Sequence, residues 1–125
     1  GAERPELRIV ADQQGSPTAA PDLADAIAAI LARIRAEGWH DRHRGVFHAT
    51  GAGFTTWHAF AEAIFAASDG PRPVLHAIAT ADYPTKATRP ADGRMDGTRL
   101  RETFGVSLPR WEQGLTRVIR ALHAV

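Results

Sequence analysis

Apolar residues recur three and four positions apart in three stretches of the chain, the spacing that places one stripe of a helix against a core. The stretches run from 23 to 34, from 57 to 65 and from 111 to 122. A shorter helix is predicted from Thr98 to Phe104, where a following glycine would close it. The pattern therefore predicts about four helices.

Short strand patterns lie between these helices. Leu7 to Val10, Val46 to Ala49 and Val74 to Thr80 are rich in apolar residues and are bounded by turn formers. From Asp82 to about Met95 the chain is too rich in turn formers to be regular. Mixed short strands with about four helices predict an α/β class, or α+β for an isolated piece, in one domain that covers residues 1–125.

Several residues at helix ends have predicted roles. Asp22 can cap the long first helix, Thr56 can cap the second, and Pro109 suits the first turn of the last. Trp57 shares an apolar stripe with Phe60, which predicts a position in the core rather than a stacking platform.

The composition is that of one ordinary globular domain, with 44% hydrophobic and 23% charged residues in a chain of 125. A formal net charge of +1 favours neither nucleic acid nor an anionic membrane as the main partner. Cysteine is absent, and neither a long apolar run nor a secretory pattern is present, so we expect a cytoplasmic protein. Residues 83–125 carry a net charge of +4, so this part is the better candidate for holding an anion.

Two further patterns suggest cofactor or metal sites but are incomplete. Gly51-Ala52-Gly53 resembles the start of a dinucleotide-binding turn, yet the third glycine and the acidic residue about 20 positions later are missing. A tight strand-to-helix turn is the favoured interpretation. His40 and His43 flank Asp41 in a loop that also carries arginines, which makes a poor cation site. We therefore assign neither cofactor-binding nor metal-binding residues.

A cationic irregular segment is the stronger candidate for ligand binding. It carries Lys86, Arg89 and Arg94 among several hydrogen-bond donors. A guanidinium can hold phosphate through two parallel hydrogen bonds, and Pro90 restricts the backbone of Arg89 to extended forms. The alternative is a set of exposed loop arginines with no ligand.

A set of short motifs then occurs in one order along nearly the whole chain. They are Val10-Ala11-Asp12-Gln13-Gln14-Gly15-Ser16-Pro17-Thr18, Pro21-Asp22-Leu23-Ala24, Gly51-Ala52-Gly53 ahead of Trp57, Tyr83-Pro84-Thr85 with Arg89-Pro90, and Leu100-Arg101-Glu102-Thr103-Phe104-Gly105. Together they resemble the C-terminal, substrate-binding part of the dTDP-4-dehydrorhamnose reductase family, which belongs to the extended short-chain dehydrogenases/reductases.

The resemblance implies a part in reducing dTDP-4-dehydro-L-rhamnose to dTDP-L-rhamnose, with NADPH or NADH, for bacterial cell-surface polysaccharide. The family's N-terminal Rossmann half holds the cofactor and a Tyr-x-x-x-Lys pair, and we expect that half to be absent here. Tyr83 is the single tyrosine, and Ala87 stands where such a pair requires lysine. No catalytic residue is therefore assigned, and the chain alone is expected to be inactive and to bind no cofactor.

The resemblance also implies which residues bind the nucleotide-sugar substrate. Arg89 resembles an arginine that contacts the nucleotide diphosphate in related reductases and epimerases. Gln13, Ser16 and Thr18 lie in a loop that resembles one beside the sugar pocket. Their expected roles are hydrogen bonding and positioning of the substrate.

The resemblance also implies that the segment from Asp22 to Ala36 packs on the missing cofactor-binding half. We therefore expect Ile27, Ile30 and Ile34 to be covered by self-association, for instance in a homodimer, or by local rearrangement.

Two other functions remain open at this point. One is a non-catalytic regulatory subunit of the same superfamily, which would act through contact with another protein. The other is a small nucleic-acid-binding domain, although the near-neutral net charge is unfavourable for binding an anionic polymer. Its cations would be Arg99, Arg101, Arg110, Arg117 and Arg120.

Overall fold

The computed structural model describes residues 5–70 and 72–124. The helices in this part of the chain are α1 (Ala20–Glu37), α2 (Trp57–Ala67), α3 (Thr98–Phe104) and α4 (Trp111–His123). The strands are β1 (Glu6–Val10), β2 (Gln14–Gly15), β3 (Thr55–Thr56) and β4 (Val74–Ile78). This mixed α/β arrangement of four helices and short strands, counted over the described residues, confirms the predicted class.

Two small sheets organise the molecule. Strands β1 and β4 pair in parallel, with Glu6 opposite Val74 and Val10 opposite Ile78. The connection between them contains α1 and α2, as a parallel pair requires a long crossover. Strands β2 and β3 form an antiparallel pair that the sequence did not predict. This pair brings the loop after β1 against the start of α2.

The segment Val46 to Ala49 was wrongly predicted to be a strand. A side chain takes the place of a neighbouring strand here. The Arg99 guanidinium donates to the carbonyl of Val46, the first residue of the segment, at 2.7 Å and to that of Arg44, just before it, at 2.9 Å. The same guanidinium lies 4.3 Å above the centre of the Phe47 ring. An arginine from α3 thus satisfies the backbone that a neighbouring strand would have satisfied.

Asp22 does not cap α1, contrary to the prediction. The helix begins two residues earlier, so Asp22 lies buried in its first turn, where the helix dipole favours negative charge. Arg117 of α4 donates to Asp22 Oδ1 at 2.9 Å and to Asp25 Oδ2 at 2.8 Å. The hydrogen bond to Asp25, followed by that to Asp22, raises the pKa of Arg117 above its ordinary value. These contacts fix α4 across the start of α1.

Other helix ends agree with the sequence more closely. Thr56 caps α2 by accepting from Ala59 N at 3.2 Å, as predicted. Gly105 closes α3 with φ +66°, the left-handed conformation that glycine adopts without strain. Pro109 lies just before α4 rather than in its first turn, and its carbonyl accepts from Ala52 N at 2.9 Å.

The core is small and lies between α1, α3 and the chain that follows α3. Its buried apolar residues are Ala26, Leu100, Phe104, Val106 and Leu108. Ile30 and Ile34 pack against it, whereas Ile27 is 50% exposed and Leu31 is 61% exposed. The chain's own core therefore covers part of the stripe on α1 and leaves another part open.

A buried histidine adjoins this core. His43 is 3% exposed, its ring stacks on Phe104 with centroids 5.1 Å apart, and its Nδ1 accepts from His40 N at 3.0 Å. Its Nε2 has no hydrogen-bond partner among the described residues. Burial, followed by the nearby charges of Arg42 and His40, lowers the pKa of His43 below its ordinary value. The ring is therefore held in its neutral form.

Acidification should destabilise the fold through His43. Above about pH 6.5 both the folded and the unfolded state hold this histidine neutral; below it the unfolded chain takes up the proton first, so the free energy of unfolding falls. Urea unfolding measured between pH 7.5 and 5.5 should show this decline. His43→Phe, which retains a ring against Phe104, should flatten it. An equal slope in the variant would show that other groups cause the pH dependence.

The basic residues considered for nucleic acid are largely engaged within the chain. Arg99 binds backbone carbonyls, Arg117 binds two aspartates and Arg110 pairs with Glu112 at 3.2 Å. These contacts use cations that a nucleic-acid surface would need for phosphates. Within residues 5–70 and 72–124, no helix is both long and apolar enough to cross a bilayer.

Candidate functional site

A cavity of about 640 Å³ lies where β1 and β4 end. Parallel strands that run side by side bring their carboxyl ends to one edge, where ligands of α/β proteins commonly bind. The lining comes from β1, from the loop after it, from the start of α2 and from the irregular segment after β4. Its polar and aromatic members include Arg8, Gln13, Gln14, Ser16, Thr50, Trp57, Thr80, Tyr83, Thr85 and Arg89.

Backbone hydrogen bonds join the two main walls of the cavity. Gln14 N donates to the carbonyl of Ala91 at 2.8 Å, and Gly93 N donates to the carbonyl of Gln14 at 2.7 Å. On the other side of the loop, Ser16 Oγ donates to the carbonyl of Gly53 at 2.7 Å. The loop after β1 is thereby held between the irregular segment and the start of α2.

A side-chain network joins the end of β1 to the end of β4 at the edge of the cavity. Both carboxylate oxygens of Asp12 accept from Thr80 N, at 2.8 and 3.0 Å, and Oδ1 also accepts from the Thr80 hydroxyl. Thr80 Oγ1 in turn accepts from Gln13 Nε2 at 3.2 Å. The hydroxyl bond from Thr80, and next the backbone bond, lower the pKa of Asp12. Asp12 is therefore a stable carboxylate at neutral pH.

The cations of the segment differ in what they contact. Arg94 forms a bidentate pair with Asp92, at 2.8 and 2.6 Å, which lowers the pKa of Asp92 to about 2. Arg89 and Arg8 line the cavity, and among the described residues neither forms an ion pair. Lys86 is not part of the lining. Two guanidinium groups that have no ion-pair partner in the described part of the chain therefore border the cavity, and they could hold an anionic ligand.

The predicted substrate-binding residues fall into two groups. Gln13, Ser16 and Arg89 all line the cavity, although they come from distant parts of the sequence. Thr18 lies outside this lining. Its hydroxyl donates to the carbonyl of Ser16 at 3.0 Å and accepts from Gly51 N at 2.9 Å, so it fixes the shape of the loop.

Other lining residues were not identified from the sequence. Trp57 was expected in the core, yet it is 48% exposed and lines the cavity, because it occupies the first position of α2 beside the loop. Tyr83 lines it too, without a lysine one turn later. Thr80 could have been found from its place just after β4, had the parallel pairing with β1 been recognised. No sequence signal marked Arg8.

Gly51-Ala52-Gly53 does not form a dinucleotide-binding turn. No strand enters it. Ala52 N donates to the carbonyl of Pro109 at 2.9 Å and the Ala52 carbonyl accepts from Trp111 N at 3.0 Å, which forms a parallel bridge opposite Arg110. A Cβ atom on Gly51 would overlap the Pro17 carbonyl oxygen, and Gly53 has φ +77°. The glycines thus permit a close approach of two loops.

The part of the chain that the structure describes holds no group of three or more His, Asp or Glu side chains placed to bind a metal ion.

Comparison with known proteins gives consistent results. The family model described as the RmlD substrate binding domain matches residues 1–124. A curated dTDP-4-dehydrorhamnose reductase of Sinorhizobium fredii is 42% identical over 120 residues, which cover 94% of this chain and 40% of that protein. A second, from Burkholderia thailandensis, is 42% identical over 130 residues, covering 96% of this chain and 43% of the relative.

A solved structure agrees with these relatives. The dTDP-4-dehydrorhamnose reductase of Bacillus anthracis, crystallised in complex with NADP, aligns with a TM-score of 0.81 at 29% identity. The alignment covers 95% of this chain and 39% of that one. The chain thus spans about two fifths of the length of the curated relatives that it matches. With a family model matched over nearly its whole length, this chain belongs to the RmlD substrate binding domain family.

Proposed function

We propose that this chain forms the substrate-binding part of a dTDP-4-dehydrorhamnose reductase. The reaction is the reduction of dTDP-4-dehydro-L-rhamnose to dTDP-L-rhamnose with NADPH, or with NADH, in the synthesis of cell-surface polysaccharide. The observation that best supports the proposal is the cavity at the ends of β1 and β4, where Arg89, Gln13 and Ser16 meet. The matched relatives that carry the name dTDP-4-dehydrorhamnose reductase are longer, and this chain covers 40% and 43% of their length.

In this proposal the nucleotide diphosphate lies near Arg89 and Arg8, the two arginines that line the cavity. Arg89 is the main phosphate contact, because its side chain borders the cavity and Arg94, its neighbour in the segment, is neutralised by Asp92. Arg8 reinforces the positive potential from β1. Charge-assisted hydrogen bonds of this kind are about twice as strong as neutral ones, so the diphosphate supplies much of the binding energy.

The sugar is held by the loop after β1. Gln13 and Ser16 present polar atoms to it, and Thr18 keeps the loop in place through Gly51. These residues orient the substrate rather than transform it, since the chain supplies no tyrosine and lysine pair. Cofactor and acid catalysis belong to residues outside this sequence, so the chain by itself is inactive.

Arg89→Ala should weaken substrate binding strongly. Loss of a hydrogen bond between charged groups should raise the Michaelis constant for the nucleotide sugar by about 10- to 100-fold. The measurement is NADPH-dependent reduction by the natural protein that carries this sequence, together with calorimetric titration by dTDP and dTDP-L-rhamnose.

Arg94→Ala is the matched control for this experiment. It removes an arginine from the same segment, but one already paired with Asp92, so the Michaelis constant should change by less than about threefold. Unchanged kinetics in Arg89→Ala would refute the role of Arg89. A natural protein that binds neither ligand and reduces no nucleotide sugar would refute the proposed function and favour a regulatory subunit.

A further inference from the structure

The hydrogen bonds among Asp12, Thr80 and Gln13 determine which atom of the Gln13 carboxamide stays available to bind a ligand. A threonine hydroxyl has one hydrogen to donate and two lone pairs that accept. Here the hydroxyl hydrogen goes to Asp12 Oδ1, and Gln13 Nε2 approaches Thr80 Oγ1 at 3.2 Å. Because the hydroxyl hydrogen is already used, Thr80 can only accept from Gln13. The amide nitrogen must therefore face Thr80.

The charge of Asp12 makes this direction permanent. Its carboxylate accepts three hydrogen bonds from Thr80 and donates none, and the bonds from Thr80 keep its pKa below the ordinary range. An ionised carboxylate has no hydrogen to offer, so the hydroxyl cannot turn round. The backbone of Thr80 is fixed just beyond β4, and Asp12 and Gln13 lie just beyond β1. The network thus bridges the two parallel strands at the edge of the cavity.

Among the described residues, none donates a hydrogen bond to Gln13 Oε1. Gln13 lines the cavity, so its carbonyl oxygen is the acceptor that the amide offers there. A sugar carries hydroxyl groups that can donate to such an oxygen, whereas a phosphate oxygen at neutral pH cannot.

We propose that Asp12 is a positioning residue, which acts through Thr80 to keep the carbonyl oxygen of Gln13 available for a hydroxyl group of the ligand's sugar. The inference rests on the proposed function and deepens it, since it assigns recognition of the sugar to a different part of the cavity from the arginines. It makes Asp12 important for a ligand that it does not touch. Binding of the nucleotide portion alone does not depend on it.

Asp12→Ala tests the direction of the network, because it removes the oxygen that accepts the hydrogen of the Thr80 hydroxyl. That hydrogen is then released and can donate to Gln13 Oε1, so the Gln13 carboxamide reverses and its acceptor is lost to the ligand. Thr80→Val removes the hydroxyl that links Asp12 to Gln13 but keeps the backbone hydrogen bonds from residue 80 to Asp12. Thr80→Ser retains the hydroxyl and should behave like the wild type.

The measurement is the affinity of the natural protein that carries this sequence for dTDP-L-rhamnose and, separately, for dTDP. We expect Asp12→Ala and Thr80→Val each to lower the affinity for dTDP-L-rhamnose about tenfold, the effect of one hydrogen bond, and to leave that for dTDP unchanged. If Asp12 and Thr80 only supported the fold, the variants would lose affinity for both ligands to the same extent. Equal losses for both ligands, or no loss in either variant, would overturn the inference.

An NMR measurement separates this inference from the proposed function. In the wild type one hydrogen of the Gln13 side-chain amide should exchange slowly with solvent, because it is bound to Thr80. The signal is assigned by its loss in Gln13→Ala. Protection that disappears in Thr80→Val and persists in Thr80→Ser supports the network, whereas an unprotected amide in the wild type overturns it. If neither ligand binds the wild type, the proposed function fails and the amide signal alone decides the role of Asp12.

Discussion

Phe104→Ala should lower the free energy of unfolding by about 3–5 kcal/mol, the usual cost of removing a buried aromatic ring. Phe104 is 5% exposed at the end of α3. Its ring meets those of His43 and Phe47, each with centroids 5.1 Å apart. The core of five buried apolar residues in the described part of the chain is too small to close over such a cavity. Urea unfolding monitored by circular dichroism would measure the loss.

Phe54→Ala is the matched control for this prediction. Phe54 is 55% exposed, and the Arg94 guanidinium lies 4.7 Å from the centre of its ring. Removing it should cost less than about 1 kcal/mol, the scale of an exposed cation–π contact. Similar losses in the two variants would show that Phe104 does not lie at the centre of the core.

Gly51→Ala should destabilise the fold by about 1–3 kcal/mol, the usual effect of forcing extra atoms into a packed site. The added Cβ would overlap the Pro17 carbonyl oxygen and approach the Cα of Trp111 to 3.5 Å. Both neighbours are backbone atoms, so no side-chain rotation can relieve the overlap. The loops must separate, which also strains the hydrogen bond from Gly51 N to Thr18 Oγ1.

Gly15→Ala provides a comparison at a site with free space. No atom lies within 4 Å of the position that a Cβ would take there. Thermal unfolding of both variants and the wild type should therefore show a clear decrease in melting temperature for Gly51→Ala and little change for Gly15→Ala. An unaltered melting temperature in Gly51→Ala would mean that the two loops are not in close contact.

Local signals in the sequence predicted the helices well and the strands less well. Thr56 and Gly105 mark helix ends through interactions within a few residues, so they were predicted correctly. Val46 to Ala49 looked like a strand because its composition suits one, yet a strand also needs a neighbour. Here the guanidinium of Arg99, more than fifty positions away, takes that place, and no local pattern reveals it.

The sequence predicted those residues of the candidate site that belong to recognisable motifs. Arg89, Gln13 and Ser16 came from a family resemblance, and the structure brings them to one cavity. The role of Thr80 depends on the parallel pairing of two strands that lie far apart in the chain. Trp57 was assigned to the core by helical spacing alone, which cannot tell whether the first turn of a helix faces a core or a cavity.

The parallel pairing also affects how the protein forms during synthesis. Residues 6–10 leave the ribosome well before their partner strand, residues 74–78, and cannot pair locally in the meantime. Asp12 and Gln13 likewise have no partner until Thr80, which follows the second strand, has been synthesised. Closing so long a loop is slow compared with forming a helix. The cavity, which is lined from both sides of this pairing, therefore forms only after the chain has been synthesised beyond Thr80 and the two strands have paired.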